Sequence, residues 1–394
     1  MLLKTSFPGS QPLRAVVAIP ARDEADRIIP CLLALAQQRG PGERPLPSGS
    51  FGVVLLVNNT SDGTAAAARA LEPRLPFPLR VLDEHLPPPR AHVGWARRLA
   101  LDAAADWAEA AGALAILGTD ADGRAEPGWV SALLAALEGG ADAVAGTFVA
   151  DPEEEARFLP PATRARYAQE EHYARLVDRL AALLDPDPHD PWPRHDTHSG
   201  ASFGLTVAAY RRLNGMRPVN VCEDRQLFTD LRAQDARIRH VLDAAVQVSC
   251  RLEGRATGGW GETTRARIER PEAFVDVRLE RLPDALHRIT ARARTRVLWQ
   301  AVRDAEPVPM VLADRVARQL GLRREALIGQ LFQRVFGACW AALEVMSPGL
   351  VHRRFPPDRL AAEIRAAERR LARELQRARS APRRIPAGNL LAAD

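Results

Sequence analysis

The sequence predicts an α/β protein in which a mostly parallel sheet, flanked by helices, is followed by an all-helical C-terminal region. Three observations predict it. Short β-branched runs ending in polar turns alternate with Ala- and Leu-rich stretches up to Arg265. One of those runs, Ala113-Leu114-Ala115-Ile116-Leu117, leads through Gly118-Thr119 onto two carboxylates, Asp120 and Asp122. Beyond Arg265 the strand-like runs stop and apolar residues recur at helical spacing, so the expected division is 1–265 and 266–394.

Taken in order, Val16-Val17-Ala18-Ile19 is a strand that enters the turn Pro20-Ala21-Arg22-Asp23-Glu24, and Ala25–Gln38 has helical character. Phe51–Val57 repeats the scheme, running through Asn58 to Thr64 before an Ala-rich helix, Ala65–Leu71. Leu79–Leu82 is a third strand, Val93–Ala110 a helix and Ala113–Leu117 a fourth strand. Pro127–Leu137 is a helix with proline at its first turn, where the missing N–H costs nothing. Ala143–Val149 and Val246–Ser249 are further strands. This alternation argues for a sheet with helices on both faces.

The C-terminal helices are expected at Phe274–Thr290, Thr295–Ala305, Val311–Leu320, Arg324–Val345 and Asp358–Arg379. Ile328–Trp340 carries apolar residues at helical spacing and reads as core-facing. Glu363, Arg365, Glu368, Arg369, Arg370, Arg373 and Glu374 read as a solvated, salt-bridged face. The tail 380–394, with Pro382, Pro386 and Gly388, is expected to fray.

Composition narrows the classes. The net charge of +5 over 394 residues is modest and spread out, which gives nucleic-acid binding little support. No apolar run reaches the ~18 residues of a membrane span. Met1–Arg14 reads as too short and too polar for a secretory signal. Cys31, Cys222, Cys250 and Cys339 lie far apart without metal or disulfide-framework spacing, which fits a reducing cytoplasm. Lys4 is the only lysine; with the Ala-rich helices this suggests a GC-rich bacterial genome.

Asp120 and Asp122 carry the chemistry. An α/β sheet binds ligands at the carboxyl ends of its strands, where this pair is delivered. Two hard oxygen ligands suit Mg²⁺ or Mn²⁺, which can hold a diphosphate and neutralise it as it leaves. An isolated Asp-x-Asp is also common as a solvated turn.

The order of motifs resembles the GT-A fold (Rossmann-like) nucleotide-sugar glycosyltransferases, and most closely glycosyltransferase family 2. Ile19–Glu24 looks like the family's Pro-x-x-Asn-Glu with Asp23 in place of Asn, and Thr60-Ser61-Asp62-Gly63-Thr64 like its Ser-Thr-Asp-Gly-Thr turn. Asp120-Ala121-Asp122 matches its Asp-x-Asp motif. Gly200–Gly204 through Tyr210–Met216 resembles its glycine-bearing strand and following turn, and Cys222–Leu227 its Glu-Asp-x-x-Leu block.

The resemblance implies a soluble hexosyltransferase-like enzyme that moves a sugar from a nucleotide-diphosphate donor to an acceptor hydroxyl with inversion. It implies Asp122 assisted by Asp120 as the metal site, and His198 or His240 as a third ligand. Pro20, Arg22, Glu24, Asn58, Asp62, Arg97, Asp120 and Gly200 would line the donor site. Asp224, with Glu223, would be the general base, since a sugar hydroxyl needs a carboxylate to take its proton; acidic residues also favour helix N-termini without any chemistry. Arg97 could equally be a surface charge.

Two departures from the pattern matter. Val57 stands where the family has a base-binding Asp, with Asn58 next, so uracil recognition does not follow. In place of Gln-x-x-Arg-Trp stands the glycine-rich Arg251–Trp260, which argues against a processive synthase. Here Gly254, Gly258 and Gly259 would let a lid close, with Arg255 on the donor phosphates and Trp260 as an apolar cover. Sugar-phosphate nucleotidyl transfer and a non-catalytic scaffold remain alternatives, the former lacking its Lys-containing glycine loop. The acceptor is not specified, and a homodimer is one possible role for the helical region.

Overall fold

The computed structural model describes residues 12–254 and 258–380. Eight strands form one sheet: β1 Ala15–Ala21, β2 Phe51–Asn58, β3 Leu79–Glu84, β4 Ala115–Gly118, β5 Arg124–Ala125, β6 Ala143–Ala150, β7 Phe203–Thr206 and β8 Ile238–Val248. Their order is β3-β2-β1-β4-β7-β6-β8-β5. Four of the seven pairings are parallel; β7 runs antiparallel between β4 and β6, and β5 antiparallel to β8.

The register positions the site. Ala18 of β1 pairs with both Val54 of β2 and Gly118 of β4, so the turns after these three strands emerge at one edge. Phe203 of the reversed β7 lies opposite Gly118, which brings the start of β7, and Gly200 before it, to that same edge. Gly118 is required by this crossing: a Cβ there would sit 2.0 Å from the Phe203 ring.

Alternate residues of each strand feed two cores. Val17, Ile19, Val53 and Leu55 pack with α1 Ile28–Ala36, α2 Thr64–Leu71 and α4 Trp129–Glu138. Val16, Ala18, Val54 and Phe203 pack on the opposite face with α3 Val93–Ala110, α7 Val207–Arg212 and α8 Glu223–Arg232. Each fully buried Val, Leu or Phe contributes about 1.5–3 kcal/mol. Trp129 is wholly buried, and its indole N–H donates to Ser202 Oγ at 2.9 Å.

The stretch between β6 and β7 carries two helices that the sequence pattern did not resolve. α5 Pro152–Phe158 is capped by Asp151, whose Oδ1 accepts from the Glu153 and Glu154 amides at 3.0 Å each. α6 Pro161–Leu184 lies under the C-terminal helices, where Tyr173 and Leu180 share a core with Val275, Leu282, Phe355 and Leu360. α9 Trp260–Glu269 runs across position 265.

Beyond it lie α10 Leu282–Arg303, α11 Met310–Leu320, α12 Arg324–Leu331, α13 Phe336–Met346 and α14 Leu360–Ser380. The expected helices at 274–290 and 295–305 are in fact one, α10. It starts at Leu282 because Pro283 occupies its first turn and the Leu282 amide donates to Glu363 at 2.8 Å. The expected helix 324–345 is two. Asp235, at the end of α8, accepts from the Phe336 amide at 2.7 Å and so caps a fresh helix. Gly337 then meets Arg232, whose carbonyl oxygen lies 1.6 Å from where a Cβ would be. The expected fraying of the tail falls on 381–394, outside the described residues.

Candidate active site

The turn after β1 is laced to the turn after β2. Asp23 adopts a left-handed φ of 52°, and its Oδ1 accepts from the Ser61 amide at 2.8 Å. Asp62 accepts from the Ala25 and Thr64 amides, both at 3.0 Å, and the Glu24 amide donates to Thr64 Oγ1 at 2.9 Å. Asp62 therefore shapes this turn with its carboxylate. Asn58, buried at the end of β2, donates to Asn59 Oδ1 at 3.3 Å; Asn59 in turn holds both backbone polar groups of Leu86. Pro20 is the penultimate residue of β1, before Ala21, and Arg22 stands half-exposed beside Asp23.

Arg97 is the hub. It lies on α3 in one stripe with Leu101, Ala104 and Ala108, all buried, and is itself only 4 % exposed. Its guanidinium donates to Asp120 Oδ1 at 2.7 Å, Glu223 Oε1 at 3.0 Å and the Gly200 carbonyl at 3.2 Å. Burial alone would lower its pKa, but the Asp120 and Glu223 carboxylates outweigh burial and hold it well above the ordinary arginine range. A side chain at Gly200 would put Cβ 2.3 Å from Arg97 Nη2, so the clamp needs glycine there.

Cys222, with a left-handed φ of 57°, turns the chain into α8 and presents Glu223 and Asp224 at its first turn. Burial raises the Glu223 pKa; Arg97 opposes the rise and Asp224 adds to it. Asp224 is half-buried and held by two amides, Gly200 N–H to Oδ2 at 2.8 Å and Arg225 N–H to Oδ1 at 2.7 Å. A carboxylate so fixed keeps its remaining lone pairs for an acceptor.

Asp122 belongs to a second cluster. Arg251, which follows β8, binds Glu24 through both terminal nitrogens and lies 3.1 Å from Asp122 Oδ2. Burial, then the charge of Asp120, push the Asp122 carboxyl up to about 6 despite Arg251. Negative charge here exceeds what the arginine neutralises. Among the bonds of the described residues, Asp120 commits only Oδ1 and Asp122 only Oδ2, so each keeps an oxygen for a hard cation. The residues fit Mg²⁺ or Mn²⁺ as expected of an Asp-x-Asp turn. A cavity of about 310 Å³ opens beside Asp122, walled by Arg27, Arg124 and Glu154.

His198 and His240, the candidate third ligands, lie beside each other, with their Nε2 atoms 3.1 Å apart. Among the described residues, the group of donors close enough to share an ion is Asp196, His198 and His240, without Asp120 or Asp122. Burial and the Arg232 charge hold His198 well below the ordinary imidazole range. Arg255 lies outside the described residues. Trp260 opens α9, packed against Tyr167 with ring centroids 6.4 Å apart.

Arg251 is the site residue that sequence reasoning undervalued. In the sequence it is one arginine of a glycine-rich loop, and no local pattern links it to Glu24, 227 positions earlier.

No curated protein matches this sequence. Solved structures resemble it at low identity. The mannosyltransferase PcManGT from Pyrobaculum calidifontis, in complex with GDP-Man and Mn²⁺, is 17% identical, with 92% of this chain and 88% of that one covered and a TM-score of 0.39. Residues 1–349 of TarS from S. aureus, in complex with UDP-GlcNAc, are 15% identical, with 92% and 91% covered and a TM-score of 0.43. The family model for glycosyl transferase family 2 matches residues 16–187, which hold β1 through α6 and the Asp-x-Asp turn.

Proposed function

We propose that this chain transfers a hexosyl unit from a nucleotide-diphosphate sugar to an acceptor hydroxyl, with divalent-metal assistance, inversion and one transfer per encounter. The observation that carries the reading is one hydrogen-bonded network: Arg97 joins Asp120 to Glu223 and the Gly200 carbonyl, and the Gly200 amide holds Asp224. A donor-side carboxylate and an acceptor-side carboxylate are thereby fixed relative to each other. The match of residues 16–187 to the glycosyl transferase family 2 model supports glycosyl transfer over nucleotidyl transfer or a scaffold.

Asp122 and Asp120 would hold Mg²⁺ or Mn²⁺, which when bound neutralises the departing diphosphate. The chain supplies the rest. Pro20, Arg22, Glu24, Asn58 and the turn shaped by Asp62 stand at the strand ends where the nucleotide would lie. Arg97 orients Asp120 through its hydrogen bond to Oδ1. Asp224 accepts the acceptor's proton as the new bond forms at the anomeric carbon, from the side opposite the leaving group. Trp260 would supply an apolar cover for the phosphates. The catalytic unit would span 1–265, with 266–394 as a helical region, in a cytoplasmic, bacterial protein that could pair as a homodimer.

The test separates binding from chemistry. Nucleotide release is measured over a panel of nucleotide sugars with Mn²⁺ and candidate acceptors, for the wild type and Asp224→Asn. The reading expects turnover in the wild type and a fall in kcat of about 10²-fold or more in the variant, with donor affinity within a few-fold. Wild-type turnover by Asp224→Asn would remove the proposed base.

A further inference from the structure

A second cluster lies deeper along α8, and it has no part in the mechanism above. His198 and His240 point their Nε2 atoms at each other, 3.1 Å apart. One ligand atom from each, together with a carboxylate oxygen of Asp196, falls within a mutual distance of 4.8 Å. Nitrogens bound to one tetrahedral ion at about 2.0–2.1 Å stand roughly 3.3 Å apart, so the histidine pair has the spacing of two ligands.

The surroundings orient these donors. Asp190, 4 % exposed, takes the other ring nitrogen of His240 at 2.7 Å and its backbone amide at 2.9 Å. That contact suits the tautomer with its proton on Nδ1, which turns the Nε2 lone pair toward His198, as carboxylates do behind metal-bound imidazoles. Arg194 and Arg239 flank Asp190 at 3.0 and 2.9 Å. Asp196 commits one oxygen to Arg232 at 2.6 Å, leaving the other for an ion. Phe228 lies against the His198 ring, its centroid 4.4 Å away, and closes one side.

The cluster is separate from the Asp-x-Asp turn. Among the described residues, the donors that lie within 4.8 Å of one another are Asp196, His198 and His240, and neither Asp120 nor Asp122 is among them. We propose that Asp196, His198 and His240 form a second metal site, for a borderline divalent ion of the zinc class, distinct from the Mg²⁺ or Mn²⁺ site of the reaction. Two imidazoles with one carboxylate select Zn²⁺ or Co²⁺ over Mg²⁺, which prefers all-oxygen shells. An ion here would tie the segment leading into Gly200 to β8.

The test uses the full chain carrying Asp122→Asn, which weakens the other cation site, stripped with chelator and titrated with Zn²⁺ and with Co²⁺. Metal content, cobalt visible absorption and thermal melting are read in this protein and after adding His198→Gln or Asp196→Asn. The site predicts one equivalent of Zn²⁺ per chain, ligand-field bands with Co²⁺, and a Zn²⁺-dependent rise in melting temperature. His198→Gln should lower the affinity at least about tenfold. Should His198→Gln fail to fold, Asp196→Asn, on a half-exposed residue, decides by the same readings. No uptake by the parent, or equal uptake by a folded variant, overturns the site and leaves a hydrogen-bonded histidine pair.

Discussion

Replacing Arg97 with Met keeps the bulk of the side chain and removes its charge. Glu223, with a side chain 8 % exposed, then faces Gly200 and α8 without a cation, while Asp120, at 34 %, can turn to water. Stranding one partner of a buried pair costs about 3–5 kcal/mol, and that cost falls almost wholly on Glu223. The Asp120 share is discounted to about 1 kcal/mol or less, because water screens it. Urea unfolding followed by tryptophan fluorescence should show Arg97→Met destabilised by about 3–5 kcal/mol. Arg97→Met/Glu223→Gln, which removes the stranded charge, should regain at least about 2 kcal/mol of it, since an unpaired ion is the costly species. Neither variant should recover nucleotide binding, because Asp120 has lost its tether in both. A single variant within about 0.5 kcal/mol of wild type, or a double variant no more stable than the single, would refute the reasoning.

Three further outcomes follow from the same contacts. Gly200→Ala drives Cβ into Arg97 Nη2, so turnover should fall at least about tenfold, with lower stability at a level typical of strained overpacking, about 1–3 kcal/mol; unchanged kinetics would contradict the clamp. Arg251→Gln removes one positive charge beside Asp122, worth about 1.4 kcal/mol toward a divalent ion ~6 Å away in a water-like dielectric, so Mn²⁺ alone should bind roughly tenfold tighter by calorimetry. Weaker Mn²⁺ binding would show that Arg251 supports the ion rather than competing with it. Asp235→Ala uncaps α13 and should cost about 1 kcal/mol in urea unfolding while leaving nucleotide affinity intact.

Much of the candidate site is legible because it is built from local signals. β-branched runs fixed β1 and β2, and Asp120 and Asp122 follow a strand end in the sequence itself. Arg97 was legible only in part. Two adjacent arginines gave no choice of face, although Arg97 shares a helical stripe with Leu101 and Ala104 and Arg98 does not. The Glu24–Arg251 pair and the Asp196, His198 and His240 cluster join segments far apart in the chain, which periodicity does not register. The same holds for the break before α13, imposed by Asp235 from across the fold. Glu223 and Asp224 lie beyond the matched segment 16–187, so their placement beside Arg97 is a result of the structure.

Calorimetry decides whether Asp120 and Asp122 bind a nucleoside diphosphate through a divalent cation. UDP and GDP are titrated into the wild type and into Asp122→Asn, each with Mn²⁺ and with EDTA, circular dichroism confirming that the variant is folded. The account predicts that at least one diphosphate binds the wild type in Mn²⁺, that EDTA abolishes the heat, and that Asp122→Asn weakens binding at least about tenfold, the loss of one charged ligand being worth ~1.4 kcal/mol or more. Equal affinity in Mn²⁺ and EDTA, or full affinity in Asp122→Asn, would contradict it.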